Sequence, residues 1–324
     1  MRLFALKGSE TLGNAMAEAI GAPLDPVEER DFEDGEHKIR PLVSVRGQDV
    51  YILQNLRGDE RQSANDRLLK LLFFVATCRD HGAARLTVVA PYLAYSRKDR
   101  ETKPRDPVTT RYVAQLMEAV GTDAVITVDV HNTAAFQNAF RCRRILLDTR
   151  KLFVEVMQSR AGKDPVVVFS PDAGGIKRAQ LLKEAYEAAT GEAAGLGLME
   201  KRRSSGVVSG NLFAGDVDGA AVFIIDDMIS TGGTMLRAAQ ECRARGARSV
   251  HAMAAHALFT PGVETLLESP AIDRIFVTDS IPAGQAIEAP SARLEIVSLA
   301  PLLAEAILRL NGNGSISDLL DPKH

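Results

Sequence analysis

The stretch FIIDDMISTGGTM, Phe223 to Met235, decides how the chain is read. Its apolar start reads as a buried strand, with Asp226 and Asp227 at the strand's end. A loop of hydroxyls and glycines then opens a segment of helical period, GGTMLRAAQECRARGA. A strand that hands polar residues to a loop at the start of a helix is the repeating unit of a parallel sheet covered by helices. The alternation recurs along the chain. Strands are expected in DVYILQ from Asp49, RLTVVAP from Arg85, AVITVD from Ala124, PVVVFSP from Pro165, AAVFIID from Ala220, SVHAMAAH from Ser249 and DRIFVTD from Asp273. Helices are expected in SANDRLLKLLFFVATCRDHG, PVTTRYVAQLMEAVG, GGIKRAQLLKEAYEAATG and the segment after the opening stretch, and three of these four end at a glycine suited to close them. The expected fold class is α/β, with two doubly wound, mostly parallel-sheet domains, 1–148 and 149–324. The boundary falls near Asp148 to Arg150, where no Pro, Gly or Ser-rich linker appears, so tightly packed domains are expected.

Composition narrows the function. The 324 residues exceed one typical domain, and 46% of them are apolar, enough for two cores. The 39 basic and 42 acidic residues give a net charge of -3, which argues against wrapping nucleic acid or coating an anionic membrane. Any bound anion must therefore be held locally. Cys78, Cys142 and Cys242 are odd in number and form no CxxC pair, so neither a disulfide framework nor a zinc site is expected and a reducing cytoplasm fits. The start, MRLFALKGSETLGN, lacks the apolar run of a signal peptide, and no run is long enough to span a bilayer, so a soluble protein is expected.

In such sheets ligands sit beyond the carboxyl ends of the strands. At the first such place, the loop Ser230, Thr231, Gly232, Gly233, Thr234 offers backbone N–H groups and a helix N-terminus to an anion, and its glycines allow close approach. Asp226 and Asp227 would repel a second phosphate there, yet they suit a vicinal diol or a hydrated Mg2+. A sugar phosphate satisfies both halves; the bland alternative is a helix cap followed by an ordinary turn. The loop lacks the GxxxxGK spacing of a nucleotide P-loop. A second place is VDVHN, which puts Asp129 and His131 after a strand, where a packed or surface histidine is the alternative. In SPDAGG, Asp172 precedes a glycine pair and reads equally as a helix N-cap. In MEKRR, Lys201 and Arg203 occupy alternate positions of an extended segment and face one anion or, blandly, solvent. The run SRKDRETKPRDPVTT, with Arg97, Lys98, Asp99, Arg100, Lys103 and Arg105, reads as an exposed, mobile loop that is either solvated or closes over a polyphosphate.

Taken together, FEDGE (Phe32 to Glu36), SVRGQDVYILQ (Ser44 to Gln54), PYLAYSRKDR (Pro91 to Arg100), DVH (Asp129 to His131), SPDAGGIKR (Ser170 to Arg178), KRR (Lys201 to Arg203), DDMISTGGT (Asp226 to Thr234) and LAPLLAEAI (Leu299 to Ile307) make the chain resemble the ribose-phosphate diphosphokinase family along its whole length. Domains of phosphoribosyltransferase type are thereby implied. So is transfer of the diphosphoryl group of MgATP to the 1-hydroxyl of ribose 5-phosphate, yielding phosphoribosyl pyrophosphate and AMP for nucleotide biosynthesis. The resemblance further implies that Ser230 to Thr234 cradle the 5-phosphate while Asp226 and Asp227 face the ribose hydroxyls. Lys201 and Arg203 match the catalytic basic pair, Arg97 the loop arginine on ATP, and Lys98, Asp99 and Arg100 its neighbours in the ATP loop. His131 and Asp172 match positions around Mg2+ and the ATP phosphates, with His131 also implied in catalysis. Phe32, Asp34 and Glu36 match an adenine-binding turn supplied by a neighbouring subunit, which implies a homo-oligomer built from dimers, up to a hexamer. Lys98 stands where the commonest members have Gln, and Ser230-Thr231 where many have Asp-Thr. DHGAARL, Asp80 to Leu86, replaces the serine-bearing regulatory segment, so no phosphate activation or ADP inhibition is expected. A phosphoribosyltransferase would share Asp226 to Thr234 without needing the first α/β unit, and a catalytically silent partner subunit would be expected to lack the lysine-arginine pair or the ATP loop.

Overall fold

The computed structural model describes residues 1–204, 207–282 and 291–320, the side chains of residues 201–211, 318 and 320 excepted. The chain divides into two compact units, the first formed by residues 1–148, 280–282 and 298–320, the second centred on residues 149–279 and also containing residues 291–297.

In the first unit, strands β1 (Arg2–Ala5), β4 (Asp49–Leu53), β5 (Arg85–Val89), β6 (Ala124–Val128) and β7 (Arg143–Leu147) form a parallel sheet in that order. A separate antiparallel hairpin joins β2 (Val27–Asp31) to β3 (His37–Pro41). Helices cover both faces of the sheet, as β1 shows. A Cβ on Gly13 of α1 (Glu10–Ile20) would stand 2.5 Å from that of Ala5, so glycine lets this helix lie close on one face. The neighbouring Phe4 points to the other face and packs edge-on to Phe74 of α2 (Ala64–Asp80), ring centres 5.2 Å apart. Ser63 and Asp66 close the start of α2 as a reciprocal capping box. Helices α3 (Thr109–Ala119) and α4 (Thr133–Ala139) complete the crossovers.

One domain assignment needs correction. Residues 298–320 belong to the first unit, whereas the sequence had suggested that everything after 148 forms the second. The buried stripe Leu303, Ala304, Ile307 and Leu310 on α9 (Ala300–Asn311) packs with α1. The far end of α9 is pinned as well. Arg85 donates to the carbonyl of Leu310 at 3.0 Å and forms a paired hydrogen bond with Asp49, which also accepts from Asn311 at 2.8 Å.

In the second unit seven strands run in the order β10 (Val207–Ala214), β9 (Ala194–Ser204), β8 (Val166–Ser170), β11 (Ala221–Ile229), β12 (Ser249–Ala257), β13 (Arg274–Thr278) and β14 (Leu294–Val297). All pairings are parallel except β10 with β9. Strand order reverses between β8 and β11, and the open ends at such a switch point form a crevice. β11 is covered on both sides, which explains its unbroken apolar run. Val222 and Ile224 pack with Met235, Ala238, Ala239 and Cys242 of α7 (Gly233–Ala244). Ala221, Phe223 and Ile225 pack with Phe153 and Met157 of α5 (Arg150–Ala161) and Leu182 of α6 (Ile176–Thr190). Carboxylates follow where that cover ends.

His251 of β12 lies in the second core, stacked on Phe223 at 4.9 Å, and neither ring nitrogen has a hydrogen-bond partner among the described residues. Burial pushes its pKa down to about 4. Since the unfolded chain takes up this proton near its ordinary pKa of about 6.5, stability falls as pH drops from there toward about 4. The residue should thus remove about 2 kcal/mol at pH 5 relative to pH 7.5, and His251→Leu should lose that slope in urea unfolding at the two pH values. An unchanged slope would show that the ring accepts its proton inside the core.

Candidate active site

Two strand ends of the second unit meet at the switch point. At the end of β8, Ser170 donates its hydroxyl to the carbonyl of Asp172 at 2.6 Å, and the Asp172 carboxylate accepts the N–H of Gly175 at 2.9 Å. The turn is tight enough that a Cβ on Gly175 would stand 2.7 Å from the Ser170 hydroxyl. Asp172 thus ties down the turn before α6, whose N-cap is Gly175, and is itself exposed to solvent.

At the end of β11, Asp226 is half-buried and Asp227 buried. Arg178, in the first turn of α6, reaches 3.3 Å from a carboxylate oxygen of Asp226 and 3.8 Å from one of Asp227. One guanidinium thus bridges both acids. Burial, with the Asp227 carboxyl beside it, nonetheless raises the Asp226 pKa to about 7, so near neutrality this pair carries less than two full charges. The pair is a hydrogen-bonding platform poised to take a diol or to shed a proton to a cation.

Next comes the loop. Ser230 and Thr260 share a hydroxyl hydrogen bond of 3.0 Å, and the Thr260 N–H donates to the Ser230 carbonyl at 3.2 Å. These bonds fix the loop to the segment after β12. Gly232 caps α7 with φ of 74°, the left-handed region, and a Cβ there would lie 2.6 Å from a methyl carbon of Leu266 on α8 (Glu264–Leu267). Only glycine fits without strain. The Thr231 hydroxyl accepts the Gly233 N–H at 3.5 Å, and Arg237 donates to the Thr234 hydroxyl at 3.4 Å. Lys201 and Arg203 lie on β9, and their side chains are outside the described residues. Their backbone is informative. β9 runs parallel to β8 with Leu198 opposite Ser170, so Lys201 lies three positions beyond the last paired residue of β8, past the same edge that carries Asp172.

In the first unit, His131 follows β6 and is exposed. Its neighbour Asn132 caps α4 by accepting from the Ala135 N–H at 3.1 Å and donates to Asp99 at 2.6 Å. Asp99 thereby joins the basic loop to the histidine turn. The loop is exposed at Arg97 and from Arg100 to Arg105, as its mixed charge suggests, and it is tied together from within. Asp106 gathers the Lys98 ammonium, the Thr102 hydroxyl at 2.7 Å and the N–H groups of Thr102 and Lys103, each at 3.0 Å. Those partners, Lys98 foremost, hold the Asp106 carboxyl well below the usual carboxylate range. Lys98 is spent within the loop, while Arg97 and Arg100 stay exposed. At the hairpin tip, Phe32, Asp34 and Glu36 are all exposed. The Phe32 N–H donates to the Glu36 carbonyl at 2.8 Å, and Arg30 lies over the Phe32 ring at 5.2 Å.

Arg178, Thr260, Asn132 and Arg237 are not singled out by the sequence, and Asp106 stands in the run SRKDRETKPRDPVTT only as one of its interleaved acids. Arg178 and Asn132 belong to or adjoin quoted motifs, and the capping geometry of Asn after a strand was a usable signal. The reach of Arg178 to acids 48 positions away has no local signature. Among the described residues no three of His, Cys, Asp and Glu converge as a metal cage.

A parallel sheet whose switch point carries paired carboxylates and a left-handed glycine loop at a helix start defines a doubly wound α/β protein with strand ends suited to a phosphorylated ligand. The family described as the N-terminal domain of ribose phosphate pyrophosphokinase matches residues 1–121, and the phosphoribosyl synthetase-associated domain matches residues 208–321. A ribose-phosphate pyrophosphokinase of Vibrio parahaemolyticus is 35% identical, with 99% of each chain covered. One of Hyphomonas neptunium is 33% identical over 99% of this chain and 100% of its own. The crystal structure of phosphoribosylpyrophosphate synthetase from Mycobacterium smegmatis superimposes with a TM-score of 0.86 at 29% identity, covering 97% of this chain and 99% of that one. The chain belongs to the ribose-phosphate pyrophosphokinase family.

Proposed function

We propose that the protein transfers the diphosphoryl group of MgATP to the 1-hydroxyl of ribose 5-phosphate, giving phosphoribosyl pyrophosphate and AMP. The observation that carries this reading is the second unit's strand end, where Asp226 and Asp227 adjoin a glycine loop capped at Gly232. Loop N–H groups and the start of α7 suit the 5-phosphate, and the acids accept hydrogen bonds from the ribose hydroxyls.

In the proposed reaction the oxygen of the sugar 1-hydroxyl attacks the β-phosphorus, the bond from that phosphorus to the oxygen bridging the α-phosphate breaks, AMP leaves and the hydroxyl proton is released to water. Such transfers ask a protein for position and cations rather than for a covalent partner. Lys201, Arg203 and Arg97 are proposed to meet the charge on the phosphate oxygens, with His131 orienting the donor. For Mg2+, exposed Asp172 and His131 are the proposed protein contacts. An ion that keeps several waters and takes substrate phosphates as ligands needs no dedicated cage, and when bound it would neutralise donor phosphates. Phe32, Asp34 and Glu36 are proposed to hold adenine for a neighbouring copy in a dimer-based oligomer, consistent with their exposure at a hairpin tip. Asp99 and Arg100 shape the ATP loop, and Lys98 must exchange Asp106 for a phosphate if it is to touch ATP. The first domain thus serves the nucleotide and the second the sugar. The free thiols Cys78, Cys142 and Cys242 suit a cytoplasmic setting.

The test is AMP release by purified protein from MgATP with and without ribose 5-phosphate. AMP formed only with the sugar is expected, and no sugar dependence would overturn the proposal.

A further inference from the structure

We propose that Arg237 binds the 5-phosphate of the sugar and gives the loop Ser230 to Thr234 its preference for a doubly charged anion. The inference rests on reading that loop as the ribose 5-phosphate cradle and assigns to it a charge that the loop itself lacks.

Arg237 lies one turn into α7 and folds back toward the helix start. One guanidinium nitrogen donates to the Thr234 hydroxyl at 3.4 Å. The other lies 3.6 Å from the point where a Cβ on Gly233 would stand, so no side chain at 233 separates the cation from the loop. A cation near a helix N-terminus runs against the helix dipole, and α7 has no acidic residue in its first turn to offset it. The neighbouring arginines are treated differently: Arg243 pairs with Asp273, and Arg245 lies 3.6 Å from Glu241. Among the described residues Arg237 makes no ion pair, and the Thr234 hydroxyl is its only hydrogen-bond partner. Arg237 is exposed, so its remaining donors face solvent beside the loop and are open to an anion that arrives there. By donating to the Thr234 oxygen it also leaves the hydroxyl proton to point toward that anion, and the two hydrogen bonds reinforce each other. A phosphate monoester carries about 1.5 to 2 negative charges at neutral pH and uses both donors.

Calorimetric binding of ribose 5-phosphate to wild type, Arg237→Leu and Arg237→Lys at low and high salt tests this. Arg237→Leu should bind roughly ten-fold more weakly and show a flatter salt dependence, and Arg237→Lys should recover part of the affinity. A purely structural role would lower thermal stability and would not be rescued by lysine. Leucine-variant affinity within about two-fold of wild type would overturn the inference while leaving the cradle intact. Failure of the wild type to bind the sugar phosphate would overturn the cradle and the inference with it.

Discussion

Lys201→Ala is expected to bind ribose 5-phosphate as wild type does and to lose turnover by hundreds-fold, on the order of 3 to 4 kcal/mol of transition-state stabilisation. The asymmetry follows from placement. In the proposed function the sugar's phosphate and hydroxyls take their partners from the end of β11 and the start of α7, whereas Lys201 belongs to β9, beyond the level at which Leu198 pairs with Ser170. In the proposed reaction Lys201 is thus left to meet the donor phosphates from beyond the β8 edge that carries Asp172. A cation that gains most when charge builds on the transferring phosphate lowers the barrier more than it aids ground-state binding. The check is kcat from AMP release together with a calorimetric Kd for the sugar phosphate. Near-normal turnover would remove Lys201 from the catalytic set, and equal losses in affinity and turnover would move it to the sugar site.

Why the strand ends were legible in the sequence, and other features not, is a matter of distance along the chain. β11 is buried on both faces, so its apolar run stops abruptly at Asp226, and the following Ser230 to Thr234 loop needs glycine for local reasons. The hairpin strands VEERD and HKIRP are the opposite case. They are half exposed and carry charge at most positions, so no apolar alternation marks them. The short edge strands RLFA, RRILL and LEIV were missed because charged residues interrupt them and no unbroken apolar run marks them, unlike the equally short but fully buried β6 and β8.

Features set by tertiary choice were out of reach altogether. The apolar stripe of α9 is plain in LAPLLAEAIL, but nothing in it says that the partner is α1, nearly three hundred residues earlier, rather than the sheet just completed. Similarly, the run Arg97 to Asp106 shows an exposed, charged loop but not which acid gathers Lys98, because that depends on how the loop closes. Asp106 with its four donors decides that, and Asp99 is drawn away to Asn132. The same logic explains Arg178. Two adjacent acids in a half-buried place require a cation, which the sequence can demand but not name.

Gly232→Ala is expected to abolish measurable sugar-phosphate binding, weakening it by at least a hundred-fold, whereas Gly233→Ala should leave folding intact. The two glycines are neighbours in one loop, yet only the first is constrained by the protein. At Gly232 the backbone is left-handed, which costs a residue with a Cβ about 1 to 2 kcal/mol. The added carbon would stand 2.6 Å from the Cδ2 and 2.8 Å from the Cβ of Leu266, whose side chain is buried in the core beside α7. Because the second of these atoms is fixed to the backbone of α8, a rotamer change cannot clear it. Either α8 is pushed outward, with an overpacking penalty of about 1 to 3 kcal/mol, or the loop shifts. A shift of about 1 Å is enough to misdirect N–H groups that must converge on one phosphate. At Gly233 a Cβ meets nothing nearer than Arg237 at 3.6 Å, an ordinary contact with the end of a flexible side chain. Thermal unfolding should therefore separate the pair, with a lowered Tm for Gly232→Ala and an unchanged one for Gly233→Ala, and calorimetry should then show the lost affinity in the first. If Gly232→Ala keeps both its Tm and its affinity for ribose 5-phosphate, the left-handed turn at 232 is not what shapes the cradle.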